Sequence, residues 1–77
     1  MRLFIEEQLN PWLSNREQGM VLICMIRINL RLGIKPDVKV LPGGLFRVGF
    51  DRHKDLWRFA CQWERLKAFE GGLPPRA

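Results

Sequence analysis

The chain reads as a small α+β domain in the order helix, helix, β-hairpin, helix (ααββα), with the helices packed on a short antiparallel sheet. Three observations predict it. A start signal at Ser14 and a stop signal at Gly33 bracket one long helix. Two alternating runs joined by Pro42-Gly43-Gly44 read as a hairpin. From Leu56 to Leu66, apolar residues recur at helical spacing.

The elements follow in order. Leu3 to Leu9 reads as a short helix, broken at Asn10-Pro11 because the residue before proline avoids the helical region. Trp12 and Leu13 are expected to cap the core at this corner. Ser14-Asn15-Arg16-Glu17 matches a capping box: the Ser hydroxyl accepts an orphan N–H and the Glu reaches back to the cap. At the far end Gly33 suits the left-handed position, Ile34 the apolar contact just beyond it, and Pro36 forbids continuation. These signals predict a helix over residues 15–32. The run Ile26-Arg27-Ile28-Asn29-Leu30-Arg31-Leu32 alternates like a strand, so a strand over 20–32 is the alternative.

Val38–Leu41 and Leu45–Phe50 read as the two hairpin strands. Alternation places Val38 and Val40 with Phe46, Val48 and Phe50 on the inner face, and Lys39 and Arg47 outside. Asp51 is the expected N-cap of a last helix running from Arg52 to Glu70. Leu56, Phe59, Ala60, Trp63 and Leu66 form its core stripe, and Gly71-Gly72 ends it. The 77 residues make a single compact domain over 1–70, with 71–77 a flexible C-terminal tail. A two-stranded sheet is marginal alone, and the second helix is apolar around most of its girth. Both features raise a homodimer as an expectation.

Charge is the feature that speaks to function. Between Arg27 and Arg58 stand eight basic and three acidic residues, a net of +5, whereas residues 1–26 net −1 and residues 59–77 net +1. The middle of the chain thus carries the whole excess, and such an excess attracts phosphate or acidic protein. Arg27, Arg31, Lys35, Lys39, Arg47 and Arg52 are the expected nucleic-acid contacts, because arginine bridges phosphate oxygens through two N–H groups. On the last helix Lys54, Arg58 and Arg65 line up as a solvated face. Trp57, Cys61 and Ala68 form an apolar flank beside it, the expected contact for a protein partner.

Catalysis and metal binding are not expected. His53 is the only histidine, and in Asp51-x-His53-x-Asp55 residues two apart on a helix do not share a face. Zinc takes about four ligands, and Cys24, Cys61 and His53 show no such spacing. Both thiols sit in apolar stretches and are expected to be buried and reduced. Gly43-Gly44 lacks the Lys and Ser/Thr of a phosphate-binding loop, so no cofactor is expected. Glu6-Glu7 interrupts any secretory signal after Met1-Arg2-Leu3-Phe4-Ile5. The longest apolar run, Met20–Ile26, has seven residues, against the ~20 of a membrane span. A soluble, cytoplasmic protein with no membrane partner is expected.

Two functional expectations follow. The first is a small non-enzymatic regulatory protein contacting DNA or RNA through a basic surface. The alternative is a protein-interaction module, inhibitory or a dimeric adaptor, of a bacterial or phage accessory system.

Overall fold

The computed structural model describes residues 2–68. It contains five elements: β1 (Leu3–Gln8), α1 (Asn15–Arg31), β2 (Val38–Leu41), β3 (Leu45–Phe50) and α2 (His53–Ala68). The α+β class is the expected one, but the order is not ααββα. The first segment is a strand, so the order is strand, helix, strand, strand, helix, and the sheet has three strands. Residues 69–70, read as the end of the last helix, and the expected tail 71–77 lie outside the described residues.

The error at β1 has a physical cause. A seven-residue helix is too short to hold itself together in water. As a strand, the same segment pairs along all six positions with β3, from Leu3 opposite Phe50 to Gln8 opposite Leu45. Leu3, Ile5 and Glu7 turn toward the helices, and Phe4, Glu6 and Gln8 face the other way. Glu7 hides this alternation in the sequence, because it is a charged residue on the inner face. It is buried, and Lys67 Nζ of α2 lies 3.1 Å from its Oε1.

The sheet order is β1-β3-β2, with β3 antiparallel to both neighbours. β1 and β2 therefore run parallel with one strand between them, and α1 makes the crossover, a split β-α-β arrangement. In the hairpin, Val38 pairs with Val48, Lys39 with Arg47, Val40 with Phe46 and Leu41 with Leu45. The expected inner and outer faces of the hairpin hold. Its turn uses Gly43 and Gly44 at φ 80° and 77°. At Gly44 a Cβ would also come within 2.9 Å of the Asn10 carbonyl oxygen.

Both helices lie on one face of the sheet. Val21 and Met25 of α1 and Phe59 and Trp63 of α2 close over Phe46, Val48 and Phe50 of β3, with Leu9, Leu13 and Ile34 at the margins. Phe59 sits between Phe50 (5.4 Å between ring centroids) and Trp63 (6.2 Å). Each such side chain contributes roughly 1.5–3 kcal/mol on burial. Two polar groups are buried in this core without a hydrogen-bond partner: the Asn29 side-chain amide and Trp63 Nε1.

The ends of α1 match their signals, and residues 20–32 are helix rather than strand up to Arg31. Ser14 Oγ accepts from the Glu17 N–H and Glu17 Oε1 accepts from the Ser14 N–H, each at 3.1 Å. The Ile34 N–H closes the other end on the Asn29 carbonyl at 2.8 Å. Three finer expectations need correction. Asp51 does not cap α2. Its carboxylate takes Arg2 Nη1 at 3.1 Å, and the Arg52 carbonyl accepts the first helical N–H groups, from Asp55 and Leu56. Trp12 does not cap the core. The turn at Pro11 sends Leu9 and Leu13 inward and leaves Trp12 89% exposed. Of the two thiols, Cys24 is half-buried, whereas Cys61 is exposed on the outward side of α2.

Candidate functional site

A groove of about 440 Å³ runs between the helices on the side away from the sheet. Cys24, Arg27, Ile28 and Arg31 of α1 form one wall, and Gln62, Arg65 and Leu66 of α2 the other. Ile28 and Leu66 pack against the core and give the groove an apolar floor. Arg27, Arg31 and Arg65 are exposed at its rim. Among the described residues, no carboxylate forms an ion pair with any of the three.

The local reason is helical geometry. At about 100° per residue, Arg27 and Arg31 point to one side of α1, while Val21, Met25 and Asn29 face the core. On α2 the same arithmetic puts Lys54 and Arg58 on the flank that Arg65 occupies. Arg58 is partly engaged, with Nη1 3.5 Å from Asp55 Oδ1. α1 carries a single acidic residue, Glu17, and that one is committed to the N-terminal capping box. Nothing on the outer surface of α1 neutralises its arginines.

The six cations singled out in the sequence fall in three places. Arg27 and Arg31 share the groove. Lys39 and Arg47 lie side by side on the opposite, open face of the sheet. There Glu6 Oε2 holds Arg47 through Nε (3.0 Å) and Nη2 (2.7 Å), and the guanidinium stacks on Phe4 at 5.6 Å. Lys35 and Arg52 line a third region, an end cleft of about 700 Å³ between the α1–β2 loop and the start of α2. That cleft is closely balanced in charge, with Arg2, Lys35 and Arg52 against Asp37, Asp51 and Asp55. Arg2 bridges Asp37 and Asp51, and Arg52 Nε donates to Asp55 at 3.0 Å. Gly49 makes room for this: a Cβ there would collide with Asp37 and Arg2.

Arg65 is the residue the sequence reading left out of its site. Its alignment with Lys54 and Arg58 was visible. That this flank faces α1 was not, because it depends on which helix faces meet. Trp57, Cys61 and Ala68 all lie on the outward surface of α2, and Trp57 is 65% exposed. His53 is exposed at the start of α2. Among the described residues, no group of three or more His, Cys, Asp or Glu side chains is placed to hold a metal ion. None of the described helices is long and apolar enough to cross a membrane.

Fold and site thus define a small α+β protein with a basic groove between its two helices. No protein-family model, curated protein or solved structure matches the chain.

Proposed function

We propose that this is a small, cytoplasmic, non-enzymatic regulatory protein that contacts nucleic acid through its helical face. Arg27, Arg31 and Arg65 bind backbone phosphates, and Lys54 and Arg58 extend the strip. One observation carries the reading: three arginines from two helices meet at one groove, and among the described residues no carboxylate pairs with them. A guanidinium free of internal partners keeps its donor fork for a phosphate. Among the described residues the groove lining holds no aromatic ring for base stacking, which supports a phosphate-backbone contact.

Fluorescence anisotropy with duplex and single-stranded DNA tests this. Three phosphate contacts imply a slope near −2.7 in log affinity against log salt, about a 40-fold loss between ~50 and ~200 mM. Equal, negligible binding at both salts defeats the reading.

The second reading is a protein-docking role, favoured by the exposure of Trp57. An exposed tryptophan on a helix is a strong anchor for a partner. Trp57→Ala should then abolish capture of that partner while leaving the thermal melt and DNA binding unchanged. Undiminished capture removes this reading.

A further inference from the structure

Among the side chains that line the groove, Gln62 is the uncharged one with full hydrogen-bonding capacity. It stands on α2 four residues after Arg58 and three before Arg65, so at helical spacing it interrupts a row of cations, Lys54, Arg58 and Arg65. It is exposed, and its amide makes no hydrogen bond among the described residues. Other amides of the chain hold the fold. Gln8 donates to the carbonyl oxygens of Leu9 (2.9 Å) and Gly43 (2.6 Å), and Gln18 to that of Leu13 (3.2 Å). Asn10 Oδ1 accepts the Trp12 N–H at 2.9 Å. Gln62 secures no turn and no cap.

An amide brings to the groove what the arginines lack. A guanidinium only donates, whereas the glutamine amide donates and accepts. The Cys24 thiol on the facing wall is a weak acceptor. A deoxyribose–phosphate backbone offers acceptors alone: phosphate, ester and ring oxygens. On that backbone the arginines and Gln62 Nε2 find partners, and Gln62 Oε1 finds none. Ribose adds the 2′-hydroxyl, which is a donor as well as an acceptor.

The breadth of the site determines whether Gln62 meets sugar or base. Each helix is about 10 Å across, so the two walls of the groove present a face about 20 Å wide. The major groove of B-DNA is about 12 Å wide and does not admit both walls. Arginines from both walls reach one duplex only where that face lies against its backbone. An RNA duplex displays its 2′-hydroxyls along a wide, shallow minor groove, which a broad face can approach.

We infer that Gln62 selects ribose over deoxyribose and that the ligand of the groove is double-stranded RNA. The selection rests on the phosphate grip of the proposed function: Arg27, Arg31 and Arg65 hold the phosphates of either backbone, and Gln62 tells the two apart. Gln62 Oε1 accepts the proton of a 2′-hydroxyl while Nε2 donates to a neighbouring phosphate oxygen. No base edge is read, so the selection is independent of sequence.

Fluorescence anisotropy at ~100 mM salt tests this with three ~20-bp duplexes of one sequence: RNA, DNA, and 2′-O-methyl RNA, which keeps the RNA helix but has no hydroxyl to donate. The wild-type chain should bind RNA about fivefold more tightly than 2′-O-methyl RNA, the size of one hydrogen bond between uncharged groups. Gln62→Met keeps the length of the side chain and removes its polar atoms. It should bring RNA down to the level of 2′-O-methyl RNA and change the affinity for DNA by less than about twofold. The thermal melt should not move, because the site is exposed. Equal binding of all three duplexes overturns the inference and leaves the proposed function standing, as does a preference for RNA that Gln62→Met does not reduce. Failure to bind any of the three overturns both.

Discussion

The two faces of this molecule hold similar cations in opposite states. On the open sheet face Arg47 is bound by Glu6, and in the end cleft Arg2 is bound by Asp37 and Asp51; of the sheet-face pair, only Lys39 has no carboxylate among the described residues. On the helical face Arg27, Arg31 and Arg65 have none among the described residues. A residue count assigns the same +1 to Arg47 and Arg27. What a phosphate meets is different, because a paired guanidinium has already spent its fork on a neighbour and its field is cancelled within a few ångströms. Cross-strand neighbours come automatically in an antiparallel sheet, as Glu6 opposite Arg47 shows. Helix flanks have no such obligatory partner, which is why free charge collects there.

The comparison extends to the interior, where the largest effect is expected. Lys67 and Glu7 form a nearly buried pair, with side chains 13% and 8% exposed. Lys67→Met removes the cation and keeps the stem, taking from the buried Glu7 carboxylate the charged partner on α2. The expected loss is about 3 kcal/mol in a denaturant melt. A loss below ~0.5 kcal/mol would mean that the Lys67 contact contributes little to holding Glu7 in the fold. By the same logic an unengaged cation contributes little to folding, so Arg27→Ala should shift the melt by less than about 0.5 kcal/mol.

Next in size is the direct test of the helical face. The double variant Arg27→Glu with Arg65→Glu should weaken DNA binding by about 100-fold at ~100 mM salt, because it removes two phosphate contacts and installs two repulsive charges. The matching sheet-face double, Lys39→Ala with Arg47→Ala, should change affinity by less than about threefold. Equal losses from the two doubles would erase the distinction between the faces.

Much of the fold was legible because local chemistry dictates it. Ser14 and Glu17 cap α1, Gly43 and Gly44 turn the hairpin, and the stripe Leu56, Phe59, Trp63 and Leu66 seats α2. β1 was not legible. Its one inward charge, Glu7, is made tolerable by Lys67, sixty residues away along the chain, and no local pattern announces such a partner. The candidate site was half legible for the same reason. Arg27 and Arg31 share a helix, so their common side follows from spacing. Arg65 joins them only through helix packing, and Arg47 and Arg52 leave the set because the fold puts them on the sheet face and in the end cleft, where Glu6 and Asp55 reach them. Pairing is a tertiary property, and a charge tally cannot see it.

Asn29 sharpens the comparison from inside α1. Its amide is fully buried and both polar atoms lack a partner. Asn29→Leu removes that unmet demand, and stability should rise by about 1–2 kcal/mol in thermal or chemical denaturation. DNA affinity should not move, since the groove is built from the outer sides of the same helix. Stability that falls instead would show that the amide is served in solution by a group or water that leucine cannot replace.

The smallest expected effect is the most discriminating. Glu6→Gln keeps the shape of the open sheet face but releases Arg47 from its carboxylate. The chain then gains one net positive charge and one free guanidinium, far from the groove. If nucleic-acid binding only sums unpaired cations, affinity should rise by as much as Arg65→Ala lowers it, and the salt slope should steepen by about 0.9. If the two-helix groove is what positions a backbone, the slope should stay where it was and affinity should change by less than about twofold. The helical face is the interface only in the second case. In the first, the arginines of the groove are interchangeable with any others, and their convergence carries no function.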